Sequence, residues 1–347
     1  MNIIIRAMKD EESLDVRRLG RKTFMGFESL FMPTPKKALV ALQGDKIVGA
    51  VLYKFFNLGK KKVGYIDFAF VDASMHGFGV GNRLYHETTQ LLWGEGCDYI
   101  SALVKDDNVG SWGLFFKNGY NRLSFYQMIK ELGLGGALNH YFGTSLFVAV
   151  GMEYYLAKRD ESIPMTKDNS LTQMLAYLSI SSLLFAFIGI MYGYDFVLSL
   201  VGMFAILVGI IVFGFVGTIF SKEDWHFRTM DGGFLIHVMV PIIGGILPFV
   251  GNWYPKTYRK GSDFKKSLGI TAIFQWFFLI LVGGIGAFEL GPLPVIGRMY
   301  AIATYLLVMF SIPLYPFESF AAGRVFRWNK AIYCMMLTLS MVVIFVL

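Results

Sequence analysis

The sequence predicts an α+β domain, a mixed and mostly antiparallel sheet with flanking helices, fused to an α-helical polytopic membrane domain. Three observations lead there. The first is an abrupt change of composition in a chain of 347 residues: residues 1–169 hold 21 Lys/Arg and 18 Asp/Glu, whereas residues 170–347 hold 11 and 7. The second is the stretch from Leu171 to Phe220, in which Asp195 is the only charged residue. Fifty such residues do not make two soluble surface helices, but they suit two bilayer-spanning ones. The third is the first half of the chain, where strand and helix patterns are separated by glycine-rich turn signals.

Taken in order, IIIRAM (3–8) is a short strand, and 10–24 is an amphipathic helix opening with acidic residues. ALVALQ, Gly44-Asp45 and KIVGAVLYKFF form a hairpin of two strands about a turn. KKVGYIDFAFV (61–71) is a strand with Tyr65, Asp67, Ala69 and Val71 on one face, and a helix runs from Asn82 to about Gly94. YISALV (99–104) is a buried strand and 108–120 a helix ended by glycine; LSFYQMIK and MEYYLAK read as two last strands. The assigned domains are 1–158, a polar linker 159–169 and a multi-span domain 170–347.

Composition also excludes. The net charge of +7 comes with no arginine–aromatic stripe, so nucleic acid is not an expected partner. Cys97 and Cys334 lie in different halves, which implies no disulfide framework. MNIIIRAMKDEE lacks the layout of a signal peptide, so the first domain is expected in the cytosol, and the chain is expected to be a multi-pass protein of the cell membrane.

The stretch HGFGVGNRL, His76 to Leu84, carries the chemistry. It follows a strand and opens a helix, where unpaired N–H groups and the helix dipole favour an anion and glycine lets a phosphate come close. A tight turn without a ligand fits the glycines alone equally well. A dinucleotide fold fits poorly, because the chain begins with an antiparallel hairpin rather than a repeated βαβ unit.

The order of elements resembles the GNAT acetyltransferase superfamily. The motif that binds the acetyl-CoA pyrophosphate in that family is matched by His76-Gly77-Phe78-Gly79-Val80-Gly81, with His76 where Arg or Gln is usual. A second signature is matched from Asn108 to Tyr120, with Phe115 where many members carry a tyrosine that protonates the departing thiolate. The resemblance covers about residues 2–158 and implies acetyl-CoA as cosubstrate, with no metal expected. It also implies that backbone groups near Phe70 and Val71 orient the pantetheine arm, and that Asn108 and Phe115 belong to the cofactor site. Asp67 is the candidate base, or else a hydrogen-bonded carboxylate where the strands part. Tyr126 is the candidate acid, with Tyr154 beside it, although either tyrosine could serve packing. His86 and His140 are single histidines without partners at metal-like spacing. The nearly uncharged segment 133–151 is either a connection packed on the sheet or a surface docked on the membrane.

Apolar spans read at 171–192, 196–220, 233–251, 267–289, 299–316 and 331–347. Six crossings would put the basic loop 252–266 and Arg324, Arg327 and Lys330 outside, against the positive-inside rule. Five crossings with 233–251 re-entrant put them inside. The segments 244–272 and 311–333 resemble the site-2 protease family of membrane metalloproteases, yet Glu318 and Ser319 stand in the Asp-Gly neighbourhood and no HExxH occurs. A remodelled metal site would use His226, His237 and Glu318, with the two histidines on one helix face; an inactive protease-like scaffold is preferred. The expected function is a membrane-anchored N-acyltransferase, moving an acetyl or acyl group from acyl-CoA to an amine-bearing acceptor. That acceptor is a membrane protein or lipid-like molecule at the bilayer. The alternatives are a non-catalytic acetyl-CoA sensor and a remodelled intramembrane metalloprotease.

Overall fold

The computed structural model describes the chain apart from residues 1, 25, 106–107, 145–151, 168, 230–236, 241–250, 257–261, 288–293, 314–319 and 347. It divides into two units, one of Met1–Val148 and Met152–Thr166, the other chiefly Lys167–Leu347.

The strands of the first unit are β1 (Ile4–Ala7), β2 (Ala38–Gln43), β3 (Lys46–Leu58), β4 (Lys61–Val71), β5 (Tyr99–Lys105), β6 (Asn121–Leu123) and β7 (Met152–Lys158). They form one seven-stranded sheet in the order β1-β2-β3-β4-β5-β7-β6. Only β4 and β5 run parallel; every other pair is antiparallel. A parallel neighbour needs a crossover, and helix α2 (Val80–Gly94) supplies it. Helix α1 (Ser13–Thr23) covers one face, where Val16 and Met32 pack with Ala38, Val40, Leu42, Ala50, Leu52 and Phe70. Helix α2 covers the other: a methyl group on Gly49 would meet Leu84, and one on Gly64 would meet Leu92 and Cys97. Neighbouring residues of β7 show the alternation. Tyr154 faces His140 and Phe125, whereas Tyr155 faces Trp112 and Phe115 of helix α3 (Val109–Lys117).

The sequence between β6 and β7 departs from expectation. LSFYQMIK is not a strand beyond Leu123; it gives way to helix α4 (Phe125–Leu132), followed by α5 (Leu134–Gly143). Ser124 caps α4 by accepting from the Gln127 N–H at 3.3 Å. The Ser-x-x-Gln pattern is thus a legible helix start that the apolar alternation conceals. Ala137, His140 and Tyr141 of α5 are buried, and the ring of Phe56 lies where a methyl group on Gly143 would go. Over 134–143 these buried side chains pack on the sheet, while Leu134 and Phe142 stay exposed; residues 145–151 lie outside the described residues.

The second unit holds α6 (Ser170–Met191), α7 (Phe196–Thr218), β8 (Trp225–Thr229), β9 (Gly251–Pro255), α8 (Ser262–Ala287), α9 (Pro294–Ser311), α10 (Ala321–Trp328) and α11 (Lys330–Phe345). Four stretches, Ser170–Met191, Phe196–Thr218, Asp263–Gly286 and Pro294–Ser311, are long and apolar enough to cross a membrane; Lys330–Phe345 is shorter. Large apolar side chains stay exposed on these helices, Phe187, Phe204, Phe215 and Phe277 among them. Asp195 caps α7, accepting from the Leu198 N–H at 2.7 Å, which is how the lone charge of that stretch is accommodated. Inside, Trp276 donates to the Ser340 hydroxyl at 2.8 Å, and Arg324, 1% exposed, donates to the Trp253 carbonyl at 2.9 Å.

Two expectations change. The antiparallel pair β8–β9 takes the place of an expected loop and the end of an apolar span. It puts His226 on a strand, so His226 and His237 do not share a helix. Of the segment 233–251, only residues 237–240, which are helical, and Gly251, on β9, are described. The re-entrant arrangement thus falls mostly outside the described residues.

Glycine permits a close contact between the backbones of α7 and α8. A methyl group on Gly217 of α7 would lie 2.7 Å from the Thr271 Cα of α8, backbone that no rotamer change can move. Gly217→Val should therefore lower stability by about 1–3 kcal/mol. A thermal unfolding scan of the full chain in detergent, unchanged from wild type, would refute this contact.

Candidate functional site

The site begins where β4 leaves β5. Their ladder pairs Val63 with Tyr99 and ends at Ile66 with Ala102, yet β4 continues to Val71 and β5 to Lys105 alongside β7. The strands part, and among the described residues nothing else pairs with the β5-facing edge of Asp67–Val71. The cause lies on the opposite edge of β4. Leu52 faces Phe68 and Tyr53 faces Ile66, so Asp67 is the extra residue of a β-bulge, which bends and twists its strand. The bulge also breaks the alternation expected for Tyr65, Asp67, Ala69 and Val71. Phe68 and Phe70 turn onto the α1 face, ringed by Phe24.

Asp67 is mostly buried and lies 3.4 Å from the Lys54 ammonium. Burial raises its carboxyl above the ordinary aspartate range, and Lys54 opposes that shift. Lys54 also sits over the Tyr65 ring, 5.0 Å from its centroid. Behind them His140, fully buried among Phe56, Tyr65 and Tyr154, meets the Ser101 hydroxyl with Nε2 at 2.7 Å. Burial, assisted by the Lys54 charge, holds its pKa down to about 3, so the ring is neutral and the hydrogen bond is between uncharged groups. Lys54, Ser101 and His140 were not legible as site residues. The histidine is 39 positions from its serine and stands alone in sequence.

The glycine turn follows directly. Asp72 accepts from the Ser74 N–H and hydroxyl and from Lys22, contacts that hold its carboxyl well below the usual carboxylate range and start a single 3-10 turn, Ala73–Met75. His76 reaches back to the Val71 carbonyl with Nε2 at 3.2 Å, pinning the turn to the end of β4. Gly77 and Gly79 then take φ of +86° and +75°, which a side chain would strain, although a methyl group at either would meet nothing within 4 Å. Gly79 is the N-cap of α2 and makes no side-chain cap bond, and no acidic residue lies in the first turn. The helix thus presents its first N–H groups, with Val80 and Gly81, to whatever stands before it. The helix starts at Val80, two residues ahead of the expected Asn82. Phe78 is 62% exposed on the rim.

The second motif is more structural than expected. Asn108 caps α3, accepting from the Ser111 N–H at 3.2 Å. Phe115 is buried in a ring cluster, 4.8 Å from Tyr85 and 4.9 Å from Tyr120. Tyr85 carries no signal in the sequence, yet its hydroxyl stands 3.5 Å from that of Ser111 and burial raises its pKa to about 12. It remains a proton donor next to the ring that replaces the expected phenol. Tyr126 is on α4 rather than on a strand, 64% exposed, with the Lys130 ammonium over its ring. Tyr154 is buried in β7.

Residues 7–120 match the family model of the acetyltransferase (GNAT) family. The N-terminal unit is a GNAT domain. Solved structures similar to it include N-acetylglutamate synthase from Neisseria gonorrhoeae complexed with coenzyme A and N-acetyl-glutamate (17% identity, 46% of this chain and 36% of that one, TM-score 0.34). An IAA acetyltransferase from Bacillus cereus aligns at 16% identity over 45% of this chain and 99% of that one, TM-score 0.32. A GNAT-family acetyltransferase from Streptococcus pneumoniae aligns at 17% over 35% and 86%, TM-score 0.31. No curated protein matches the chain. In the second unit, among the described residues, no group of three His, Cys, Asp or Glu could hold a metal; Glu318 lies outside them.

The buried His140 should make the N-terminal unit acid-sensitive. Its folded pKa lies below that of an unfolded histidine, so its contribution to stability is complete above pH ~6.5 and is lost progressively as pH falls toward 3. Hydrogen-exchange protection of β5 and α5 amides should fall between pH 7 and pH 5, and His140→Gln should flatten that dependence. An equal fall in the variant would assign the effect elsewhere.

Proposed function

We propose that the chain is a membrane-anchored N-acyltransferase that moves an acetyl or acyl group from acyl-CoA to an amine at the membrane surface. The observation that carries this reading is the conjunction at one end of β4. An unpaired strand edge, Asp67–Val71, runs straight into an uncapped helix N-terminus. An amide-bearing pantetheine arm can take the place of the missing strand, bonding the backbone near Phe70 and Val71. The pyrophosphate then meets the N–H groups of Gly77–Gly81, the side chain of His76 and the dipole of α2. Asn108 supports the adjoining helix.

The chemistry follows from the neighbours. Asp67, with its raised proton affinity, takes a proton from the acceptor ammonium, directly or through water. The amine attacks the thioester carbon, a C–N bond forms, the C–S bond breaks, and the thiolate receives a proton. Phe115 cannot supply that proton, and Tyr85 beside Ser111 is the group in reach of the same region. Tyr126, exposed on its helix, is not part of this scheme. The four apolar helices and the basic segment 252–266 support a bilayer anchor with the GNAT domain on the cytosolic side.

A second reading, a non-catalytic acetyl-CoA sensor, is favoured by one observation, the phenyl ring of Phe115 where a phenol would serve the thiolate. Acetyl-CoA titration followed by thiol release with a panel of amines separates the two. Turnover should rise with pH through a pKa above the ordinary aspartate value, and Asp67→Asn should remove that limb with on the order of a hundredfold loss of rate. Tyr85→Phe should slow thiol release with acetyl-CoA affinity unchanged. Saturable binding without thiol release selects the sensor; absence of binding defeats both. Orientation is tested by Lys260→Cys, which should resist an impermeant thiol reagent added outside intact cells; labelling there overturns the cytosolic assignment.

A further inference from the structure

We propose that Lys54 is itself an acyl acceptor, its Nζ receiving an acyl group from acyl-CoA while Asp67 removes the proton. The inference rests on the acyl-CoA reading above. Lys54 belongs to β3, opposite Tyr65 in register, but its side chain leans across β4. The ammonium lies 5.0 Å from the Tyr65 centroid, 5.7 Å from that of Phe56 and 3.4 Å from the Asp67 carboxylate. Its charge is felt by His140, which is hydrogen-bonded to Ser101 of β5, one register pair before the β4–β5 ladder ends. The amine thus sits over the strand whose far edge opens, next to the bulge residue, at the place an acceptor nitrogen must occupy.

Other lysines with carboxylate partners differ in the requirement that matters. Lys22 pairs with Asp72, whose carboxyl is held low by two further hydrogen bonds, from the Ser74 N–H and hydroxyl, and makes a poor base. Lys158 pairs with the exposed Glu161. Lys54 pairs with a carboxyl whose proton affinity burial raises, and its side chain keeps 38% exposure, enough to be reached.

The step balances without a further reactant. One ammonium proton passes to Asp67 and on to water, and the freed nitrogen adds to the thioester carbonyl. As the adduct collapses, the C–S bond breaks, and the second nitrogen proton neutralises the departing thiolate. The products are an amide at Lys54 and free CoA thiol. The amide carries no charge, so Asp67 loses its counter-ion and becomes available to an external amine.

The test is a time course of the purified full-length protein in detergent micelles with acetyl-CoA, read by peptide mass spectrometry. Lys54 should gain one acetyl mass on the order of a hundredfold faster than Lys46, an exposed lysine at the start of the same strand. The modification should vanish in Asp67→Asn. Heat-denatured wild type gives the same comparison without any variant, since Lys54 must then react no faster than Lys46. Saturable acetyl-CoA binding by tryptophan fluorescence, with Lys54 no faster than Lys46 in the folded protein, overturns the inference and leaves the acyltransferase reading standing. No acetyl-CoA binding overturns both.

Discussion

The parting of two parallel strands governs the N-terminal unit. One extra residue in β4, Asp67, bends the strand away from β5 after Ile66, and the rest of the site depends on that bend. An edge opened inside a sheet leaves backbone N–H and C=O groups that must find partners. Here the open edge is short, lies between covered faces, and ends at a helix N-terminus. The extended, amide-bearing, anionic ligand proposed above suits such an edge before any side chain is considered. The bulge also delivers the Asp67 carboxylate to the rim of the opening, so one local irregularity shapes the groove and places a charged group beside it.

The side chains around the opening stabilise it from below. Ser101 and His140 join β5 to α5 at the last register pairs before the strands part, and Phe56, Tyr65 and Tyr154 close round the imidazole. A buried imidazole is tolerated because it stays neutral and one nitrogen is bonded. Helix α5 is thereby fastened to the point where the sheet opens, beneath a rim on which Phe78 and His76 are exposed.

Much of this was legible in the sequence, for identifiable reasons. Turn glycines and apolar runs are local signals, and they located the hairpin, the strand of Asp67, the glycine turn that opens α2 and the apolar helices. What escaped was non-local. The β5–β7 pairing, the contact of Lys54 with Asp67 and that of Ser101 with His140 join residues far apart in the chain, and no spacing rule reports them. The bulge escaped because alternation predicts a face for every residue and cannot announce where a strand skips one. The conversion of 125–132 from strand to helix was decided by a hydroxyl cap at Ser124, which outweighed the apolar alternation.

The capping of α7 by Asp195 bears on how the second unit would sit in a bilayer. The carboxylate is tied to the first turn of its helix, and one turn further on Ser199 accepts two hydrogen bonds from Arg298 of α9, whose guanidinium lies 3.9 Å from the Tyr194 ring centroid. Tyr192 and Tyr194 are more than half exposed at the same level. In the proposed bilayer, an anion, a cation and two tyrosine rings would mark a single waterline across the α6–α7 and α9 ends. Helices bearing such a mark cannot slide along their axes without drawing a charge into hydrocarbon, so vertical registry is fixed by chemistry at one end and the apolar length below it is free to tilt.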